Sequence, residues 1–326
     1  MQNNITEKRP ATSTDEAYTD LKKFIGFLKG DPEESKNGDK ITVPYSVSEY
    51  IGEKIKSISP IKMLARVTYT DFEKLDVVMD RADFKQSGWI IDNKPADDQE
   101  SNICKKSIEL HELFARPKVT QRLMDDKAIR IEDFIKEKIV SQMAYAENRA
   151  FLFGDGISQP KGILKYDLYY EEKTEENKIA AVKTGEKGKI TEYDQLVKVM
   201  EKLPSEYLCN AVWIMSRNAA STIRQLRDGT TNRFIWQNSI AHGIPNTLLG
   251  YPVIICDDMP KLSEKDPTTP VLFGNFYEAY QIAERQDISL LKDPYNSKPF
   301  IEFYATKRIG GDVVNFDAIV ALRCEE

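Results

Sequence analysis

The sequence predicts an α+β protein with four parts: an arm, a projecting hairpin, a long spine helix and an α/β lobe. Three observations carry this. Ile131, Ile135, Ile139, Met143, Ala146, Ala150 and Phe153 recur every three or four residues, the stripe of one long amphipathic helix. Strand-like runs between residues 67 and 110 flank a long polar excursion. Beyond residue 190, short apolar runs alternate with amphipathic segments.

The first 40 residues are polar and rich in turn formers, so they predict a mobile arm. Within them, residues 17–28 carry Leu21, Phe24, Ile25 and Leu28 at helical spacing, a short helix that docks on something larger. Residues 43–45 read as extended because Pro44 biases the residue before it, and 48–58 as a short helix. Residues 67–69, 75–79 and 89–91 read as strands, and 102–110 as a returning strand. A polar loop as long as the one between them usually projects or carries function. Asp125 or Asp126 caps the spine helix, which runs to about Phe153 and spans about 35–40 Å. Its polar side carries Glu132, Lys136 and Arg149. Gly154 stands where a left-handed residue ends such a helix.

Residues 165–189 read as a surface hairpin or loop. The lobe then gives a helix from Thr191 or Glu192 to Pro204, a buried strand at 211–215, a helix at 218–226 and a strand at 253–256. Short strands follow at 271–273, 279–283 and 289–291. A terminal hairpin is expected from 300–309 and 313–322, turning at Gly310-Gly311. No internal repeat is visible.

Composition excludes several classes. No apolar run approaches the ~20 residues of a membrane span, and the N-terminus has no signal-peptide core. The net charge of −6 argues against a basic footprint for nucleic acid. Cys104, Cys209, Cys256 and Cys324 form no CxxC, and with only His111 and His242 in the chain a zinc site is not expected. The cysteines read as reduced, mostly buried small hydrophobes. Gly154-Asp155-Gly156 ends a helix rather than opening one, so it lacks the geometry of a phosphate loop. No GxSxG occurs. A dyad of Cys209 or Cys256 with a histidine is the remaining nucleophilic arrangement, and no carboxylate spacing selects a glycosidase pair. Trp213 and Trp236 read as core. No cofactor is expected.

Charge is unevenly spread. Residues 71–100 hold nine acids against four bases; residues 101–130 hold seven bases against four acids. The plain reading is two solvated faces. The sharper one is an acidic arm, with Asp92, Asp97, Asp98 and Glu100, lying on the basic stretch of a neighbouring copy, with Lys105, Lys106, Arg116, Lys118 and Arg122. Projecting limbs gain cover only in a symmetric assembly.

The segment 146–156, AENRAFLFGDG, followed by Gln159-Pro160-Lys161-Gly162-Ile163-Leu164, resembles the helix-end signature of tailed-phage major capsid proteins, the Hong Kong 97-type shell fold. Its marked positions are Gly154, Asp155, Gly156, Pro160 and Gly162. Further pieces follow in the family's order: 213–217 (WIMSR), 226–229 (LRDG), 247–253 (TLLGYPV) with Asp258-Met259-Pro260, 273–276 (FGNF) and 308–311 (RIGG). Together they cover roughly residues 105–325.

The resemblance implies an N-terminal arm at 1–66 and an extended loop at 67–108. It implies a peripheral domain at 109–190 and 284–312, and an axial domain at 191–283 and 313–326. The implied function is self-assembly into the icosahedral head of a tailed double-stranded DNA phage or prophage, with no enzymatic activity. The implied partners are further copies in hexamers and pentamers, a scaffolding protein, a portal and a decoration protein. The shell would enclose DNA without sequence-specific binding, have no membrane partner, and form in the bacterial host cytoplasm before becoming part of the virion. Fewer than seventy residues precede the extended loop, shorter than the scaffolding segment many relatives carry, so scaffolding is expected from another protein or the chain is in its final form. Some relatives cross-link through a Lys–Asn bond promoted by a Glu. Here Lys85 and Lys94 lie on the loop and Asn296 on a later turn, but Thr306 and Lys307 before Arg308 are not acids, so no cross-linking is expected. The nearest alternative is an encapsulin-like compartment shell. A soluble α/β hydrolytic enzyme is the alternative from another class.

Overall fold

The computed structural model describes residues 24, 26, 40–80, 103–125, 131–171, 177–227, 234, 236 and 246–325. In chain order these form β1 (Lys40–Thr42), α1 (Tyr45–Ile58), α2 (Pro60–Leu64), β2 (Arg66–Tyr69), β3 (Lys74–Asp80), β4 (Ile103–Glu109), β5 (His111–Ala115), β6 (Lys118–Thr120), α3 (Gln121–Asp125) and α4 (Ile131–Phe153). Then come β7 (Leu168–Tyr169), β8 (Ile179–Lys183), α5 (Asp194–Glu201), β9 (Val212–Met215), α6 (Arg217–Gln225), β10 (Thr247–Leu248), β11 (Tyr251–Ile255) and β12 (Thr268–Gly274). The chain closes with α7 (Phe276–Ala279), β13 (Tyr280–Glu284), β14 (Ser289–Asp293), β15 (Phe300–Val313) and β16 (Ile319–Cys324). The expected strand at 89–91 and most of the arm lie outside the described residues.

The chain forms two compact units. The first takes the described parts of Met1–Ser59, Glu112–Glu147 and Arg285–Arg308. In it β14 pairs antiparallel with β1 and β15, and β6 runs antiparallel to β15. Alternation along β15 turns Ile301, Phe303 and Ala305 into a core. That core is closed by Val47, Ile51 and Ile55 of α1 and by Ile131, Ile135, Ile139 and Met143 of α4, with Phe24 buried among them.

The 23-residue spine α4 is about 35 Å long. Its described part begins at Ile131; Asp125 ends the short helix α3, and Asp126, the other expected cap, lies outside the described residues. The expected stripe holds to Met143 and then shifts. Ala146 is half-buried and Phe153 is exposed, whereas Glu147, Asn148, Phe151 and Leu152 are buried. The buried line 131-135-139-143-147-151 steps by four residues, about 40° past a full turn each time. It therefore winds around the helix, and a single straight stripe does not describe it.

The second unit takes the described parts of Pro60–His111, Asn148–Glu284 and Ile309–Glu326. Its main sheet has the order β10-β11-β9-β12-β16-β8-β7. Trp213 lies 4.2 Å from Phe273, centroid to centroid, and its indole N–H donates to the Leu248 carbonyl at 3.0 Å. Leu196 and Val199 of α5 and Ala219, Ala220 and Ile223 of α6 cover this core. Ser216 caps α6 through its side chain, accepting from the Ala219 N–H. The unit also holds β13, parallel to β2 and antiparallel to the end of β15, and the β3–β4 ribbon.

Three expectations are corrected. Residues 165–189 are not merely a surface loop: β8 lies inside the main sheet, parallel to β16, with Ile179, Ala180 and Ala181 buried. There is no terminal hairpin at Gly310-Gly311. β15 runs straight through both glycines, and β16 belongs to the other sheet. These glycines serve close approach, since a Cβ on Gly310 would stand 2.2 Å from the Glu109 carbonyl oxygen and one on Gly311 2.6 Å from the Tyr280 hydroxyl. The cysteines are free, but only Cys256 and Cys324 are buried; Cys104 is half-buried and Cys209 exposed. The compact units also depart from the division expected at 190/191. Residues 148–190 cluster with the lobe, because β7 and β8 are strands of its sheet.

Candidate functional site

The β3–β4 ribbon is an antiparallel ladder from Lys74 opposite Glu109 to Asp80 opposite Ile103. A two-stranded ribbon is therefore present, formed by residues 74–80 and 103–109, while the expected strand at 89–91 lies outside the described residues. Cross-strand charges hold it: Lys74–Glu109 at 2.9 Å and Lys105–Asp76 at 2.8 Å. Hydrogen bonds from Lys105 and Ser107 hold the Asp76 carboxyl below its ordinary range, and Lys74 does the same for Glu109. Apolar Val78 is nonetheless 67% exposed.

Lys106, opposite Val77 in the middle of the ladder, anchors one face of this ribbon. Its ammonium donates to the Val313 carbonyl at 2.6 Å, pairs with Asp312 at 3.0 Å and lies 3.1 Å from the Tyr166 hydroxyl. Tyr166 donates in turn to Asp312, and burial first, then Asp312, pushes its phenol far above the ordinary range.

The helix-end turn is tightly built. A Cβ on Gly154 would sit 1.8 Å from the Pro160 carbonyl oxygen, and one on Gly162 2.5 Å from the Leu152 carbonyl. The left-handed residue is Gly156, with φ +74°, and not Gly154 as the sequence suggested. Pro160 is buried. The Asp155 carboxylate accepts from the backbone N–H groups of Ile157, Ser158 and Gln159 at 3.0–3.1 Å and from the Ser158 hydroxyl at 2.8 Å. The bond from Ile157, followed by those from Ser158, holds this carboxyl well below the usual carboxylate range. A depressed native value means that the turn is favoured above the free-chain value near 3.9 and loses that contribution as pH falls toward the native value. The carboxyl NMR titration of Asp155 is expected to have its midpoint below ~3.9, with amide protection at 157–159 fading only under stronger acid. A midpoint at or above the free-chain value would contradict this turn.

The expected contact residues are dispersed. Asp92, Asp97, Asp98 and Glu100 lie outside the described residues. Lys105 and Lys106 are engaged by Asp76 and Asp312 of their own chain. Arg116 and Lys118 flank Glu302 at 3.6 and 3.4 Å. The Ser297 hydroxyl and then Lys118 hold that carboxyl below its ordinary range. Arg116 also lies over the stacked rings of Phe114 and Tyr304, 4.9 and 5.1 Å from their centres. Arg122 is exposed on α3.

Two buried ion pairs were not foreseen: Lys307–Glu147 at 3.0 Å in the first unit and Lys62–Glu284 at 2.8 Å in the second. No sequence spacing signals the first, whose partners are 160 residues apart. His242 lies outside the described residues, and burial raises the Cys256 thiol, the opposite of what a nucleophile needs. Among the described residues no cluster of three His, Cys, Asp or Glu could hold a metal, and no helix is long and apolar enough to cross a membrane.

A spine helix contributing to two compact units, a two-stranded ribbon with one face open to solvent and a closed helix-end turn are the parts of a shell protein of the Hong Kong 97 type. Solved structures carry the same arrangement. The capsid of a native GTA particle is 36% identical, with a TM-score of 0.71 over 82% of this chain and 91% of that one. A capsid chain of the Gordonia phage Cozz (14%, TM-score 0.54, 82% and 87% covered) shares the fold. So does the SrpI encapsulin of Synechococcus elongatus PCC 7942 (15%, TM-score 0.54, 82% and 88% covered). The satellite phage P4 procapsid with its size determination protein shares it at 12% identity and a TM-score of 0.52, over 84% and 98% of the chains. No curated protein matches the sequence. The model of the phage capsid family matches residues 39–324, and the chain belongs to that family. It is a major capsid protein, a structural subunit of an icosahedral shell.

Proposed function

We propose that this subunit is non-catalytic and builds hexamers and pentamers that close into a phage head around double-stranded DNA. The β3–β4 ribbon carries the reading. One face of the ribbon packs on its own chain through Ile108 and Lys106, while the other, with Val78 exposed, gains cover from a second copy. Net charge −6 suits a container that retains DNA by closure, since a strongly basic wall would bind the genome along its length. A scaffolding protein, a portal and a decoration protein complete the proposed partners. Assembly belongs to the host cytoplasm and the finished shell to the virion. The size determination protein that accompanies the P4 procapsid supports the scaffolding partner.

The proposed contact sets the acidic segment containing Asp92, Asp97, Asp98 and Glu100 of one copy against Arg116, Lys118 and Arg122 of the next. Two cations sharing the single carboxylate of Glu302 leave positive charge to be met there. Lys105 and Lys106, with carboxylates of their own chain, have less to offer. Changing Asp97→Lys together with Asp98→Lys is expected to abolish or slow shell formation while leaving the circular dichroism of the subunit unchanged. Shells formed at the normal yield by this variant would overturn the contact.

A further inference from the structure

An open groove of about 310 Å³ lies beside the ribbon, toward the far end of its described ladder, lined by Met79, Cys104, Lys105, Lys106, Lys161, Tyr166, Asn177 and Asp312. Three of its residues are lysines, and they are not equivalent. Lys105 is neutralised by Asp76 across the ladder. Lys106 is neutralised by Asp312. The Asp312 carboxylate also accepts from the Tyr166 hydroxyl and the Val313 N–H, so three donors already share it. Lys161 has no carboxylate within ion-pair reach among the described residues; its ammonium lies 4.0 Å from the centre of the Tyr166 ring.

Lys161 is also held in place. Its N–H donates to the Gly311 carbonyl at 2.9 Å, and its carbonyl accepts from the Tyr280 hydroxyl at 2.8 Å. Its alkyl stem runs against Gly156, where a Cβ would stand 3.1–3.2 Å from three of its carbons. A cation fixed at backbone, stem and head has given up its side-chain freedom before any partner arrives, which lowers the cost of a pairing. The ring beneath it supplies a modest attraction without neutralising its charge.

We infer that Lys161 in this groove pairs, as cation and hydrogen-bond donor, with an Asp or Glu side chain of a second copy of the chain. The inference rests on the shell-forming reading and names a contact within it. Charge favours this occupant: each copy carries 52 acids against 46 bases, so an uncompensated cation in a recess is complementary to the next copy. Phosphate, free or in nucleic acid, is the competing anion.

The test uses shells assembled from a mixture of 14N- and 15N-labelled full-length subunits, treated with a carbodiimide that joins amines to carboxylates without a spacer. Peptides are then read by mass spectrometry. A Lys161–carboxylate cross-link containing both isotopes is expected in shells and absent from unassembled subunits. Lys161→Met is expected to raise the subunit concentration needed for shells by roughly fivefold, the size of one modest ion pair per contact, and Lys161→Arg to restore it. Cross-links confined to one isotope, or none, would overturn the inference. So would Lys161 amine protection by inorganic phosphate without a mixed-isotope product. Shell formation is scored separately by microscopy: Lys161→Met shells at the wild-type concentration would remove this contact and leave the shell assignment standing, whereas wild-type subunits that never form shells would remove the assignment itself.

Discussion

Replacing Lys307 by methionine is expected to destabilise the unassembled subunit by about 3–5 kcal/mol, the range for stranding one charge of a buried pair. Lys307 on β15 and Glu147 on α4 meet at 3.0 Å with side-chain exposures of 2% and 0%. Water cannot reach Glu147 to replace the lost ammonium, so the variant leaves a buried anion without the cation that faced it. The pair itself contributes far less than that loss, because both ions were desolvated to form it. The double change Lys307→Met with Glu147→Leu should therefore recover most of the stability, and urea unfolding of both variants checks this. A single-variant loss below about 1 kcal/mol would show that the pair is not buried as described. The pair ties the spine to the sheet of the first unit, so a variant that still folds should show faster hydrogen exchange in both elements.

Substituting Gly154→Ala is the second large effect. Its Cβ would stand 1.8 Å from the Pro160 carbonyl oxygen and 2.7 Å from that of Ala150, both backbone atoms. No rotamer change relieves such a clash, so the helix end or the turn must move. The turn cannot move freely: the Gly162 N–H donates to the Gly154 carbonyl at 3.0 Å, and Gly162 packs against Leu152. A loss of at least about 3 kcal/mol in thermal or urea unfolding is expected, well above the ~1 kcal/mol centre of ordinary substitutions. Gly185→Ala is an informative control, since its Cβ would meet nothing within 4 Å, leaving only the strain of its φ of +77°. Equal losses at the two positions would show that Gly154 is chosen for conformation and not for space.

The elements that proved legible were those where local pattern and tertiary burial agree. The 211–215 run is a fully buried strand, and α6 starts at a serine that caps it. The spine was visible from its stripe, but its last two turns were not, because burial there follows a winding line through Glu147 and Asn148. The strand β8 was hidden by its brevity among charged neighbours. Its place in the sheet is set by parallel pairing with β16, about 140 residues later. Gly310-Gly311 looked like a turn because glycine permits one, whereas here it admits the backbone of Glu109 and the ring of Tyr280. At the candidate contacts, residue type and charge were legible. What could not be read was which lysines are already satisfied, since the carboxylates that engage Lys105 and Lys106 come from positions 76 and 312.

That the open face of the β3–β4 ribbon, with Val78, is covered by a sister copy can be examined by electron microscopy of the purified, tag-free protein across a concentration series. Rings of five and six subunits or closed shells are expected, with the Val78 face of the β3–β4 ribbon lying against a neighbour. Single subunits persisting at high concentration, or shells in which that face meets only solvent, would overturn the reading.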